Sequence, residues 1–141
     1  ELVDNLLAAR TNLSAVFIRG AIRKNPQASA EIIARYKDVE EDGKAFAHFD
    51  YQLNHDLALA SGNNVFVLMM NGFRGLYSRI GGFFFSDPRA REVAKEFYAK
   101  LQQVAEQGDY KSVPAVVREY GYASGRVWNE VRETMPQDLV D

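Results

Sequence analysis

The sequence predicts an all-α fold, an antiparallel bundle of six or seven helices with a ligand cavity, and three observations carry that prediction. Apolar residues recur at alternating intervals of three and four along most of the chain. No segment alternates with the period of two that a half-buried strand requires, and Pro, Gly and Asn fall between the periodic stretches, where helices stop and start. The aromatic complement, nine Phe, seven Tyr and one Trp in 141 residues, exceeds what a minimal core needs and leaves rings to line a cavity. A chain of this length suits one domain with one core, burying roughly two-thirds of the surface its unfolded form exposes.

Residues 2–24 read as the first helix. Val3, Leu6, Arg10, Leu13 and Phe17 share one face, with Arg10 in a slot that is otherwise apolar, and KNPQ (24–27) ends the stretch. Asn25 and Pro26 open a second helix reaching about Glu40, where the polar EEDGK intervenes. Phe46, Phe49, Leu53, Leu57 and Ala60 define the inner face of a third, closed by Gly62 and followed by Asn63 as the next N-cap. The fourth, from about Asn64 to Ile80, is apolar on more than one side, which places it centrally, and GGFFFSDP is read as its break. Asp87 and Pro88 open the fifth, with Ala90, Phe97, Leu101 and Val104 inward and Gly108 at its end. Pro114 fits only a first turn, so the last helix starts near Ser112, and it ends before Pro136.

Lys and Arg number 17 against 19 Asp and Glu, a formal charge of −2, so the chain by itself has no general attraction for nucleic acid. Cysteine is absent, which removes disulfides and thiolate metal sites and fits a cytoplasmic protein. The longest strongly apolar run, Val65–Met70, is too short to span a bilayer, so no membrane partner is expected. The chain opens at Glu1 on a helical pattern without an initiator Met or a signal peptide, and the expectation is a fragment of a longer protein.

YGYASGRVW (120–128) raises the functional question. Gly121, Ser124, Gly125 and Trp128 lie on one helical face, and extending the stripe adds Arg118 and Arg132 at its two ends. Interior glycines weaken a helix by roughly 0.5–1 kcal/mol each, so something approaches the backbone closely there. Two readings stand: a tight helix crossing, or a ligand groove in which a serine hydroxyl hydrogen-bonds and an indole covers an apolar tail. Arg10 poses a related choice, because an inward guanidinium needs an internal carboxylate such as Asp50 or an anionic ligand. Together these surfaces suit a molecule with an anionic head and an apolar body. His48 and His55 are the two histidines, and Asp50 and His55, five apart, are poorly placed to share a metal and read as solvent-facing. No nucleophile triad, Walker, dinucleotide-binding or HExxH pattern occurs, so no catalytic residue is assigned. The acidic run Asp38–Asp42 reads as a solvated helix end.

DNLLAARTNLSAVFIR (4–19), ALASGNNVFVLMMNGFRGLYSRIGGFFFSDPRAR (58–91), FYAKL (97–101) and the 118–139 region with YGxxSGxxW and MPQDL together resemble the C-terminal regulatory domain of the fatty-acid-responsive FadR family of GntR-type transcription regulators. The similarity is collinear over almost the whole chain. It implies an all-helical domain that binds long-chain fatty acyl-CoA as effector, with no other cofactor, behind an N-terminal winged-helix DNA-binding domain outside this chain. It further implies a homodimer that holds operator DNA when unliganded and releases it on binding acyl-CoA. Fatty-acid degradation is then derepressed, and unsaturated fatty-acid synthesis loses its activator. Residue by residue, the resemblance places Arg10, Gly121, Ser124 and Trp128 around the ligand, together with Tyr77, and brings Thr11 and Phe84 near the same pocket, Phe84 standing where tyrosine is often found. Ala123 stands where a glutamate is usual and Glu133 where a lysine near the CoA phosphates is usual. A carboxylate there repels a polyanion, so the expected phosphate contacts shift to Arg118 and Arg132, with Arg126 a further candidate.

Sister domains of the wider superfamily hold a divalent metal with one Asp and three His. Asp50 matches, but Asn54 and Tyr98 stand where histidines are usual, which argues against a metal site. The alternatives to an acyl-CoA sensor are a helical dimerisation module without a ligand and a metal–carboxylate sensor of that sister kind.

Overall fold

The computed structural model describes residues 2–140 and contains six α-helices: α1 (Leu2–Lys24), α2 (Pro26–Ala34), α3 (Gly43–Ala60), α4 (Asn64–Phe84), α5 (Pro88–Glu106) and α6 (Val113–Val131). Short 3₁₀ turns follow at Arg35–Asp38, Tyr110–Ser112, Arg132–Thr134 and Gln137–Val140, and no strand occurs among the described residues. Helix starts obey local chemistry. Asp42, Asn63 and Asp87 each accept a hydrogen bond from the backbone N–H two residues on, at 3.3, 3.0 and 2.8 Å, and Pro26, Pro88 and Pro114 occupy first turns. Gly62 and Gly108 follow α3 and α5 with φ of +79° and +66°, conformations that a side chain would strain.

The main core gathers Phe17, Ile18 and Ile22 of α1, Ile33 of α2, Phe46, Leu53 and Leu57 of α3, Tyr98 and Leu101 of α5, and Val117 of α6, all buried. A second buried cluster, Val3, Ile80 and Trp128, forms at one end of the bundle, where Met135 and Leu139 fold back over it. α1 lies against α3 and α6, and α5 against α2 and α6. The most extensive pairing joins α3 to α4, whereas α4 makes few direct contacts with α1 or α6. The space left between α4 and those two helices is the cavity described below.

Three expectations are revised. The second helix does not reach Glu40: it ends at Ala34, tightens into the 3₁₀ turn and becomes extended at Val39 (φ −81°, ψ 131°), because the acidic segment beyond offers no continuous apolar face to bury. Nor does GGFFFSDP break the fourth helix at Ile80, since α4 continues to Phe84 through Gly81 and Gly82. Gly81, with Gly43 across the seam, serves packing. A methyl group at Gly43, at the start of α3, would lie 2.8 Å from both the Gly82 carbonyl oxygen and the Ser86 amide nitrogen, and one at Gly81 would lie 3.1 Å from Ala47 Cβ. Bare backbone is what lets α3 and α4 close. Finally, α4 is peripheral. Its inner face borders the cavity, while Val65, Leu68 and Met69 are exposed on its outer side, which accounts for a helix that is apolar all round without being central.

Gly43→Ala tests the seam. The added methyl meets backbone that has nowhere to retreat, so destabilisation of about 1–3 kcal/mol is expected in urea unfolding monitored by circular dichroism.

Candidate functional site

Four helices contribute one side chain each to a buried polar node. Asp50 of α3 accepts hydrogen bonds from the Tyr77 hydroxyl of α4 and, at 2.6 Å, from the Tyr98 hydroxyl of α5. Arg10 of α1 donates through Nη1 to Tyr77 Oη at 2.9 Å and to Asp50 Oδ2 at 3.3 Å. The Asp50 side chain is only 2% exposed and that of Arg10 19%, so the pair has little water to screen it. Asp50 is therefore not solvent-facing, and the reason is periodicity: it falls four residues after Phe46 and three before Leu53, on the buried face of α3. His48 is exposed, whereas His55, also expected to face solvent, is half-buried beside Asp56.

Burial raises the Tyr77 and Tyr98 phenols well above their ordinary value, with Asp50 adding to the rise, so both remain protonated donors. Burial alone would lower the Arg10 pKa, but the oxygens of Tyr77 and Asp50 outweigh it and move it up; the guanidinium keeps its charge. Its other N–H groups make no hydrogen bond among the described residues, and Arg10 borders the cavity. Asn54 turns its amide to the Asp50 backbone carbonyl at 2.8 Å instead of toward the carboxylate. Both Asp50 oxygens are thus engaged by Tyr98, Tyr77 and Arg10, and no group of three or more His, Cys, Asp or Glu is placed to hold a metal ion among the described residues.

Above the node lies a cavity of about 180 Å³ between α1, α4 and α6. Arg10 and Thr11 of α1, Tyr77 and Phe84 of α4, and Gly121, Ser124 and Trp128 of α6 all line it, so the structure brings together every residue that the resemblance placed around a ligand. The two glycines of the stripe divide the alternatives between them. A methyl group at Gly121 would lie 3.2 Å from Thr11 Cγ2, which is the close helix crossing, whereas one at Gly125 would meet nothing within 4 Å, which is open cavity. Thr11 and Ser124 donate their hydroxyl protons to the carbonyls of Leu7 and Tyr120, at 3.0 and 2.7 Å, leaving lone pairs as acceptors. The cavity thus offers an apolar wall, two hydroxyl acceptors and one cationic donor.

The expected phosphate contacts are not brought there. Arg118 is exposed on α6 and does not line the cavity, and Arg132 is exposed and paired with Asp4. Ala123 borders a separate shallow groove with Phe97, Lys100 and Tyr120, and Glu133 is exposed in the 3₁₀ turn beyond α6. Sequence reasoning missed Met70, Phe73 and Phe85 as wall residues, because an apolar side chain facing a cavity has the same periodicity as one facing a core. It also missed Asp4, whose partners lie 124 and 128 residues away.

A family model described as the FadR C-terminal domain matches residues 1–140. The chain belongs to that family. Among curated relatives of this FadR domain, the fatty acid metabolism regulator protein of Shewanella amazonensis is 49% identical over 138 residues, covering 98% of this chain. That of Shewanella pealeana is 50% identical over 139 residues, covering 99%. In both cases the chain spans 58% of the relative's length.

Two experiments probe this FadR-domain site in the absence of any ligand. Asp50→Ala strands the Arg10 charge and two buried phenols, and a loss of about 3–5 kcal/mol is expected in urea titrations. Gly125→Ala places its methyl in open space and gains helix propensity, so stabilisation of roughly 0.5–1 kcal/mol is expected, while Gly121→Ala, against Thr11, shows no such gain; parallel thermal melts compare them.

Proposed function

We propose that this domain is the effector sensor of a transcriptional regulator of fatty-acid metabolism, and that its effector is a long-chain fatty acyl-CoA. One observation carries the reading. Seven residues from three helices converge on one apolar cavity whose floor presents a single cation, Arg10, which suits a molecule that is apolar along its length and polar at one point. Arg10, Thr11 and Ser124 supply a donor and two acceptors for the thioester or CoA moiety, Trp128 and Phe84 cover the chain, and Gly125 leaves room beside the α6 backbone.

Typical ligand pockets measure roughly 300–1,000 Å³. At about 180 Å³ this cavity takes a long acyl chain only if a wall moves outward. α4 is the wall with the fewest ties to its neighbours across the cavity, and α6 faces it. Movement of these helices relative to α1 is how binding would reach a DNA-binding domain in the remainder of a longer, homodimeric, cytoplasmic protein. The ligand biases that movement only by binding one arrangement better than the other. In this reading acyl-CoA releases operator DNA, which derepresses fatty-acid degradation and withdraws activation of unsaturated fatty-acid synthesis.

A second reading, a helical module that dimerises without any ligand, draws on the outer face of α4, where Val65 is 58% and Leu68 70% exposed. It predicts concentration-dependent assembly and no response to acyl-CoA.

Thermal melting with acyl-CoAs of increasing chain length, CoA and oleate separates the two. A ligand at a hundred times its Kd adds about 2.7 kcal/mol. A rise of several degrees that requires both the long chain and CoA is therefore the expected result. Ser124→Asn and Trp128→Ala should each reduce that rise; unchanged affinity in both variants would place the ligand elsewhere.

A further inference from the structure

Trp128 is the only tryptophan, and it is held by a residue outside the cavity lining. Its ring borders the cavity and meets Phe83 and Phe84 edge-on, each at 6.3 Å between centroids. Its Nε1 donates to Asp4 Oδ1 at 2.9 Å. The other Asp4 oxygen receives Arg132 Nη1 at 3.0 Å. Asp4 sits in the first turn of α1, Trp128 near the end of α6 and Arg132 just past it, so one carboxylate ties both helices at this end of the cavity. The side chains of Asp4 and Arg132 are 38% and 43% exposed, so both are open to an anion arriving from solvent. The indole N–H foremost, and Arg132 with it, hold the Asp4 carboxyl below its ordinary range, so it is charged at neutral pH.

We propose that Asp4 is a latch: it holds Trp128 and Arg132 in the ligand-free arrangement and competes with the phosphates of an acyl-CoA for the Arg132 guanidinium. The inference rests on the acyl-CoA reading. An exposed ion pair is weak and exchanges readily, whereas a phosphate engages a guanidinium through two parallel hydrogen bonds and brings more charge. Asp4 opposes such a ligand twice, by occupying its cation and by repelling its charge.

Asp4→Asn removes the charge but keeps an oxygen for the indole, and Trp128 fluorescence reports binding directly, with calorimetry as a second measure of Kd. Asp4→Asn is expected to tighten oleoyl-CoA binding roughly three- to tenfold, an amount fitting one rim charge, and to leave oleate affinity unchanged. The gain should vanish in the Asp4→Asn/Arg132→Gln double variant. Equal Kd for oleoyl-CoA in the original chain and Asp4→Asn overturns the latch while leaving the acyl-CoA reading intact. An equal gain for oleate, or a gain that survives Arg132→Gln, also overturns it, since phosphate would then not be the competitor. Absence of binding to either protein overturns the acyl-CoA reading, and the latch with it.

Discussion

The ion pair between Arg10 and Asp50, roofed by two tyrosines, is the constraint to which the rest of the bundle conforms. A carboxylate with 2% of its side chain exposed is tolerable only when its oxygens are hydrogen-bonded and a cation stands beside it. Here the cation comes from α1 and the hydroxyls from α4 and α5, so meeting the needs of one residue on α3 fixes the relative height of four helices. Hydrophobic contacts specify register loosely, whereas a node of this kind accepts one arrangement. It also sets the polarity of the cavity above it, since Arg10, its charge secured by Asp50, is the cation that borders an otherwise apolar space.

Glycine does the complementary work of deciding where backbones meet and where they stay apart. At the α3–α4 seam Gly43 permits a backbone contact that a side chain would forbid and Gly81 a close approach to Ala47, and Gly121 allows a similarly close approach to Thr11 between α6 and α1. Gly125, one turn further along α6, faces space. Close packing on both sides and openness between them are thus achieved with one residue type. The cavity is bounded by two tight seams and not by a general looseness of the bundle.

Much of this was legible in the sequence, and the remainder was hidden for identifiable reasons. Helix number and most boundaries follow from periodicity and caps, and Arg10 announced itself as a cation in an apolar slot. Asp50 was legible in part: it was the internal carboxylate named as a partner for Arg10, and the pair forms, but its place on the face of Phe46 and Leu53 also excludes the solvent-facing position that its spacing from His55 suggested. The close approach of α3 to the end of α4 depends on Gly43 meeting the Gly82 carbonyl and Ser86 amide, and no local rule reports such a distant partner. Likewise the stripe on α6 gave the same signal for Gly121 and Gly125, and only the neighbour across the gap distinguishes them. Asp4 illustrates the limit most clearly: an acidic residue in a first turn is ordinary, and nothing nearby in the chain foretells an indole from the far end.

The cavity has a mechanical consequence as well as a chemical one. Interiors packed to crystal-like density resist compression, and the volume lost on unfolding grows with the internal space that unfolding eliminates. A bundle carrying about 180 Å³ of mostly apolar space beside its core is for that reason more readily unfolded by hydrostatic pressure than a fully packed one. Filling that space removes the susceptibility. Pressure stability, a property of the whole molecule, thereby becomes a measure of occupancy in a single site.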